Sequence, residues 1–296
     1  MCNEQTEHDN NHFEAVGGAV NRRDFTQLGT AGFLSLLLPA GGALARNHHE
    51  VVEREVEVPM ASGVSDSYLV HPAEGSHAAV LIWPDIRGLR PAFKAMGKRL
   101  AMDGYTVLVA NPFYRDGPHP HVQPGDQFSD PPVRERLISY ARKLTQDAAM
   151  SDARDYIAFL DTQDATNTSR KVGTMGYCMG GPLIMRTAGA VPERVGAAAS
   201  FHGGGLVTNR PDSPHLLIPQ SPAHVLHAVA ENDDERNPTQ KEVLAETYAA
   251  NGIPAEIEVY EGTLHGWCPP DSRVYNEAQA ERAWSRTLAL FERTLA

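Results

Sequence analysis

Short runs of largely apolar residues constrain the fold of this chain more than any other feature. Residues 78–83 and 105–110 form two such runs, and residues 172–175, 195–201 and 223–230 form three more. A strand that is buried on both faces needs apolar residues at nearly every position, because both faces contact other elements. These runs therefore predict the strands of a mostly parallel sheet that is covered on both sides.

Segments with helical spacing of apolar residues alternate with these runs along the chain. They occupy residues 93–102, 133–143, 151–161, 239–250 and about 275–295, and a sixth strand is predicted over residues 255–260. Strands that alternate with helices predict an α/β fold with helices on both faces of the central sheet. Near the start, residues 51–58 and 67–70 predict an antiparallel hairpin. Residues 111–131 are rich in Pro, Gly, His and Asp, which predicts a long loop over a site.

The composition excludes several classes of protein. The chain has 296 residues with 42% hydrophobic and 21% charged side chains, which are ordinary globular values and exclude a wholly disordered chain. The net charge of -11 and the lack of a basic run argue against a nucleic-acid partner. The longest apolar stretch, 31–39, is too short for a membrane span.

Cysteine and histidine spacing predicts neither a metal site nor a cofactor. The three cysteines, Cys2, Cys178 and Cys268, are too few for a disulfide framework and include no C-x-x-C pair. His119 and His121 lie close together, but no further ligands accompany them, and a loop is the better interpretation.

Residues 1–45 have the organisation of an export signal. A polar segment leads to Arg22 and Arg23, then to a modest apolar run, and then to small residues at Ala43 and Ala45. This order resembles a bacterial twin-arginine signal that is cleaved after Ala45. We therefore expect an exported, periplasmic protein with one domain over residues 46–296. The alternative is an uncleaved amphipathic N-terminal helix on a cytoplasmic protein.

The strongest chemical signal is Gly-Tyr-Cys-Met-Gly-Gly at residues 176–181. It follows a predicted buried strand and opens a predicted helix, as the G-x-S-x-G nucleophile turn does, with Cys178 in place of serine. The turn needs residues with almost no side chain two positions before and two positions after the nucleophile. At a helix N-terminus the dipole favours a thiolate over a thiol. The alternative is a glycine-rich turn that contains an inert, buried cysteine.

Two further candidates follow the fifth and sixth predicted strands. Asp233 comes directly after residues 223–230, and His265 follows residues 255–260. The chain order nucleophile, acid, histidine is that of hydrolases with such a turn, and open α/β sheets place their sites at carboxyl ends of strands. Taken singly, Asp233 is equally well a loop or capping carboxylate, and His265 a solvated loop histidine.

With these motifs in place, the chain resembles the dienelactone hydrolase family of cysteine-dependent α/β-hydrolases. The matching segments are residues 83–88, the cysteine turn at 176–181, the segment around Asp233 and residues 260–266. The resemblance covers about residues 50–296 and implies an α/β-hydrolase fold. It also implies that Cys178 is the nucleophile, His265 the base and Asp233 the acid that orients it.

The same resemblance implies supporting roles for three residues near the nucleophile. Asp85 stands where the family carries a carboxylate, commonly glutamate, that holds the resting thiol and releases it as a thiolate. The backbone N–H groups of Ile86 and Met179 would form the oxyanion hole.

The residues that contact the substrate are predicted less directly than the catalytic candidates. The family's dienelactone enzymes bind the substrate carboxylate with arginines, and Arg134, or Arg136 in another register, falls near one such position. A second family arginine position is occupied here by Pro269, which argues against the specific dienelactone substrate. A solvated helix face explains both arginines equally well. Arg87, Tyr114 and Trp267 are further candidates for the substrate pocket.

The sequence thus predicts a cofactor-free, monomeric hydrolase that cleaves a small lactone or activated ester through an acyl-enzyme. One alternative within the fold is a broad-specificity esterase or thioesterase. Another is a non-catalytic protein that binds a ligand or senses oxidants through its thiol. Pairing of Cys178 with Cys268 in an oxidising compartment stays open.

Overall fold

The computed structural model describes Asp9 and residues 48–296 of the chain. Apart from Asp9, the predicted leader at residues 1–45 lies outside the described residues. One eight-stranded sheet with the order β1-β2-β4-β3-β5-β6-β7-β8 organises the described part. The strands are β1 (Val51–Met60), β2 (Gly63–Pro72), β3 (Ala79–Trp83), β4 (Thr106–Val109), β5 (Val172–Tyr177), β6 (Val195–Phe201), β7 (His224–Ala230) and β8 (Ala255–Tyr260).

Seven α-helices are found in the described part of the chain. They are α1 (Pro91–Met102), α2 (Pro131–Ala141), α3 (Gln146–Asp161), α4 (Gly180–Ala190), α5 (Glu231–Arg236), α6 (Thr239–Ala250) and α7 (Glu277–Thr294). Short 3₁₀ helices occupy Tyr114–Asp116 and Pro214–Gln220. No helix among residues 48–296 is long and apolar enough to cross a membrane.

The apolar side chains of each strand divide between two cores, one on each face of the sheet. In β3, Leu81 belongs to the core beneath α3, α4 and α6, whereas Val80 and Ile82 belong to the core beneath α1 and α7. All three are fully buried. Because successive strand residues point to opposite faces, a strand between two helical layers must be apolar throughout. The predicted α/β-hydrolase fold, with a mostly parallel sheet and helices on both faces, is confirmed.

Six strands run parallel, so their carboxyl ends lie along one edge of the sheet. Trp83 of β3 pairs with Gly176 of β5, and Tyr177 of β5 pairs with Phe201 of β6. At the far side, β7 and β8 are paired up to their last residues. The segments that follow these strands therefore meet at the same edge, where the candidate site lies.

Some elements differ from the sequence predictions. The segment around Asp233, interpreted as a loop, is the short helix α5, which begins as soon as β7 ends. The hairpin is longer than predicted, since β2 begins at Gly63 directly after a tight turn and pairs along the whole of β1. Pro59, Gly63 and the consecutive polar residues Ser65 and Asp66 interrupt the apolar alternation, so apolar periodicity underestimates its length.

The two-sided core predicts a large effect of truncating a strand side chain. We expect Leu81→Ala to lower the free energy of unfolding by about 2–5 kcal/mol, because it leaves a cavity among fully buried neighbours. The matched control is Leu216→Ala, whose leucine is 49% exposed and should change stability by less than about 0.5 kcal/mol. Urea unfolding measures both values, and equal losses would contradict the assignment of Leu81 to the core.

Candidate active site

Cys178 lies in a strained turn between β5 and α4. Its φ angle is 56°, a left-handed value that is uncommon for a residue with a side chain. A Cβ atom on Gly176 would lie 2.1 Å from the carbonyl oxygen of Gly180, and one on Gly180 would lie 2.5 Å from the carbonyl oxygen of Trp83. Both positions therefore require glycine, and the turn holds the thiol at the end of the sheet.

Asp233 and His265 form a hydrogen-bonded pair at the same edge. Nδ1 of His265 lies 2.7 Å from Oδ2 of Asp233. Asp233 belongs to the first turn of α5, and His265 follows β8 in a turn that ends at Gly266, where φ is 100°. The structure thus brings together two residues that are 32 positions apart in the sequence.

Several hydrogen bonds tie the segment after β7 to the segment after β8. The N–H of His265 donates to the side-chain oxygen of Asn232 at 2.9 Å. The N–H of Glu231 donates to the Thr263 hydroxyl at 3.2 Å, and the Glu231 carboxylate accepts from the N–H of Gly262 at 2.9 Å. No sequence motif indicated Asn232 and Thr263 as positioning residues. The only signal in the sequence is that they come shortly before Asp233 and His265 along the chain.

The electrostatic surroundings of His265 favour its charged form. Burial alone lowers the pKa of this imidazole, but the charges of Asp233 and Cys178, and hydrogen bonds with both side chains, raise it to about 10. A positively charged His265 stabilises a thiolate on Cys178, and the N-terminus of α4 acts in the same direction. The arrangement therefore suits a nucleophilic thiolate next to an imidazolium.

A cavity of about 310 Å³ opens above these residues. Cys178 and His265 contribute to its wall, together with Ile86 and with residues 125–129 of the predicted long loop. The loop thus lies over the cavity, as its length and composition predicted. The other lining residues are Asp85, Arg87, Arg90, His202, Gly266, Asp271, Ser272 and Arg273.

Asp85 lines this cavity, but its carboxylate is bound by an arginine that no sequence motif indicated. The guanidinium of Arg90 donates to both oxygens of Asp85, at 2.7 and 2.9 Å, and also to both oxygens of Asp271, at 2.7 and 2.9 Å. Arg87 adds a contact with Asp271 at 3.1 Å. This buried network fixes Asp85 beside the cavity. Its predicted role in holding the resting thiol stays a prediction.

The oxyanion-hole candidates flank the thiol. Ile86 belongs to the turn that follows β3 and lines the cavity. Met179 follows Cys178 directly and precedes the first turn of α4. Backbone N–H groups at a helix N-terminus have no carbonyl partner within the helix, so that of Met179 is suited to bind an anionic oxygen.

The structure does not bring Arg134 or Arg136 to the cavity. Val133 and Leu137 of α2 are buried in the core, which turns the intervening side chains towards solvent. Arg136 donates to Asp126 at 2.7 Å, and Arg134 does not line the cavity either. The arginines that do line it are Arg87, Arg90 and Arg273.

Tyr114 and Trp267 also lie outside the cavity lining. The Tyr114 hydroxyl donates to Asp152 at 2.8 Å on another part of the sheet edge. Trp267 is fully buried and stacks on Tyr260 with ring centroids 4.9 Å apart. Both side chains are part of the packed interior, because large aromatic rings bury more area there than in a small polar cavity.

Neither Cys178 nor Cys268 forms a disulfide within residues 48–296. Cys268 lines a different cavity, beside Tyr177 and Trp284, under the other face of the sheet. Burial raises the pKa of Cys268 well above its ordinary value, so this thiol is unreactive near neutral pH.

Comparison with known proteins agrees with this geometry. The sequence model of the dienelactone hydrolase family matches residues 65–295. A carboxymethylenebutenolidase from Rhodococcus opacus is 25% identical over 224 residues, which are 75% of this chain and 83% of that protein. The protein usf from Aquifex pyrophilus is 25% identical over 231 residues, 77% of this chain and 93% of that protein.

A solved structure with the same fold is a putative dienelactone hydrolase from Klebsiella pneumoniae. It superimposes with a TM-score of 0.70 at 20% sequence identity and covers 82% of this chain and 99% of that one. The fold is that of an α/β-hydrolase. This chain belongs to the dienelactone hydrolase family.

The raised pKa of His265 predicts a pH-dependent contribution to stability. Because the folded-state pKa of about 10 exceeds the ordinary value of 6.5, the contribution is complete below pH 6.5 and is lost as the pH rises through 10. We expect the wild type to lose stability relative to Asp233→Asn over this range in urea unfolding. The matched control is Asp234→Asn, whose carboxylate pairs with Lys241 instead. A constant difference between wild type and Asp233→Asn would contradict the assignment.

Proposed function

We propose that this protein hydrolyses small lactones or activated carboxylic esters through Cys178, His265 and Asp233. The observation that carries the proposal is the 2.7 Å pair of Asp233 and His265, because His265 and Cys178 line the same cavity. Membership of the dienelactone hydrolase family supports it, as does the similarity to a carboxymethylenebutenolidase.

In the first step, the Cys178 thiolate attacks the carbonyl carbon of the substrate. The N–H groups of Ile86 and Met179 stabilise the negative oxygen of the tetrahedral intermediate. The bond from carbon to the leaving oxygen then breaks, and His265 gives its proton to that oxygen. The product of this step is a thioester on Cys178, with His265 neutral and still oriented by Asp233.

In the second step, His265 accepts a proton from water as the water oxygen attacks the thioester carbon. The carbon–sulfur bond breaks and releases the acid, and Cys178 returns to a thiolate beside the charged His265. A thiolate is a good leaving group, so this step does not need a strong external acid. Esters and lactones with stable leaving groups suit the first step better than amides do.

The cavity wall carries three arginines beside Asp85, Asp126 and Asp271, and we assign the binding of a small anionic substrate to those arginines that Asp85 does not bind. Arg90 is neutralised by Asp85 and Asp271, and Arg87 contacts Asp271 from the exposed side. Arg273 adds a further positive charge to the same wall. A volume of about 310 Å³ accommodates a small ring with one carboxylate. We therefore assign carboxylate binding to Arg87 and Arg273 rather than to Arg134 or Arg136.

The decisive test is hydrolysis of a dienelactone, a neutral enol lactone and p-nitrophenyl acetate by the full chain and by the protein lacking residues 1–45. We expect Cys178→Ala to lower kcat/KM by at least about 10³-fold for each hydrolysed substrate, because it removes the nucleophile. The matched control is Cys268→Ala, which removes a buried thiol outside the site and should leave kcat/KM within about 3-fold of the wild type. Equal activities of wild type and Cys178→Ala would contradict the mechanism.

Alkylation of Cys178 by iodoacetamide separates the remaining alternatives. Rapid labelling near pH 6 without turnover of any ester favours a thiol-based sensor or ligand-binding protein. Labelling together with turnover of neutral esters alone favours a broad-specificity esterase. A Cys2→Ser background keeps the N-terminal thiol out of the measurement.

The cavity arginines predict a selective effect on anionic substrates. We expect Arg87→Gln and Arg273→Gln each to raise KM for a dienelactone by about 10-fold, with little change for the neutral lactone, because each removes one positive charge from the wall. Arg134→Gln serves as the control and should change neither KM. Steady-state kinetics at two salt concentrations measures this, and a loss confined to Arg134→Gln would restore the sequence-based assignment.

A further inference from the structure

A second histidine lies in the cavity beside Cys178 and His265. His202 follows the last residue of β6, between the strand that leads to Cys178 and the strand that leads to Asp233. Its side chain is almost completely buried, yet it forms part of the cavity wall. The reaction steps derived above make no use of this residue.

The backbone holds His202 in an unfavourable conformation. Its φ angle is 41°, in the left-handed region that few residues with a side chain adopt. Its N–H donates to the carbonyl oxygen of Ala228 at 2.8 Å, which fixes the residue to β7. Strain of this kind persists only where the surrounding structure imposes it, and it is concentrated at functional sites.

The imidazole of His202 has unused hydrogen-bonding capacity. Within residues 48–296 and Asp9, neither Nδ1 nor Nε2 has a hydrogen-bond partner. A buried polar group without a partner destabilises a protein, and a phenylalanine of similar shape would avoid that penalty. A histidine in such a place is explained when its partner is a molecule that enters the cavity.

The ring of His202 contacts the ring of His265. The two centroids are 5.1 Å apart and the planes are inclined by 72°. An oxygen atom that hydrogen-bonds His265 from the cavity therefore lies close to His202 as well. Burial, followed by the neighbouring charge of His265, lowers the pKa of His202 to about 3, so its ring stays neutral and has one donor and one acceptor nitrogen.

We propose that His202 is a further catalytic residue, whose neutral ring hydrogen-bonds the oxygen atom that exchanges a proton with His265. The proposal rests on the proposed ester hydrolysis. In the first step that atom is the leaving oxygen, to which the His202 ring N–H donates as the carbon–oxygen bond breaks. In the second step it is the oxygen of the attacking water. His202 keeps its own proton throughout, so the proton balance between His265 and the substrate is unchanged.

The test compares esters that share an acyl group but differ in their leaving group. Phenyl acetate has a more basic leaving oxygen than p-nitrophenyl acetate, so it depends more on a donor at that oxygen. We expect His202→Phe to lower kcat/KM for phenyl acetate by about 10- to 100-fold and for p-nitrophenyl acetate by less. His202→Gln and His202→Asn, which retain an amide donor, should recover part of the loss.

A separate readout distinguishes this role from a structural one. The pH dependence of Cys178 alkylation by iodoacetamide reports on the Cys178–His265 pair without any ester. We expect His202→Phe to leave that profile unchanged. The matched control is His227→Phe, which replaces a buried histidine on β7 that contacts Tyr248 at 3.1 Å outside the cavity. Its kcat/KM should equal that of the wild type.

The outcomes are distinguishable. If the wild type hydrolyses both esters and His202→Phe equals it, the role of His202 is refuted while the proposed function stands. An altered alkylation profile also overturns this role, because it shows that His202 is purely structural. The same conclusion follows if both esters lose activity equally and neither His202→Gln nor His202→Asn recovers it. If the wild type hydrolyses no ester under reducing conditions, the proposed function fails first and the role of His202 fails with it.

Discussion

The site depends on the close approach of α4 to the ends of β3 and β5. Only the absence of side chains at Gly176 and Gly180 allows α4 to lie so near these strand ends, since a Cβ at either position would overlap a backbone oxygen. The close approach forces Cys178 into a left-handed conformation and places its thiol above the sheet, at the positive end of a helix. The other groups of the site are arranged around this thiol.

Asp233 and His265 lie at the same edge as the thiol because the segments after β7 and β8 are hydrogen-bonded to each other. The side chains of Asn232 and Glu231 accept hydrogen bonds from the N–H groups of His265 and Gly262, and these bonds fix the position of His265 relative to Asp233. Parallel strands alone place these residues at one edge, but the strand register does not bring the two side chains within hydrogen-bonding distance. The short helix α5 does so by turning Asp233 back towards the His265 ring.

Two neighbouring histidines in this site have opposite electrostatic surroundings. His265 has a carboxylate and a thiol next to it, and its pKa is raised to about 10. His202 has no carboxylate partner among residues 48–296; it lies against the charged ring of His265 and is held neutral by burial. Two groups of the same chemistry thus acquire different tasks, one moving a proton and one offering a hydrogen bond. The difference arises from position alone.

The alternation of strands and helices, the two-sided burial of the sheet and the candidate residues Cys178, Asp233 and His265 could be predicted from the sequence. Each depends on local patterns, namely apolar runs, glycines around a nucleophile and polar residues that directly follow strands. The hydrogen bond between Asp233 and His265 agrees with that prediction because parallel strands end at one edge.

The arginines and the second histidine of the cavity could not be predicted in this way. No local sequence pattern distinguishes Arg134 from Arg273, yet only Arg273 lines the cavity. His202 has no distinctive spacing, and Arg90 meets Asp271 across 181 positions. Such contacts depend on how separate segments pack in three dimensions, and no local pattern of residues records that packing. The sequence therefore determined the fold and the candidate nucleophile, whereas only the tertiary structure decided which charges and hydrogen-bonding groups surround that thiol.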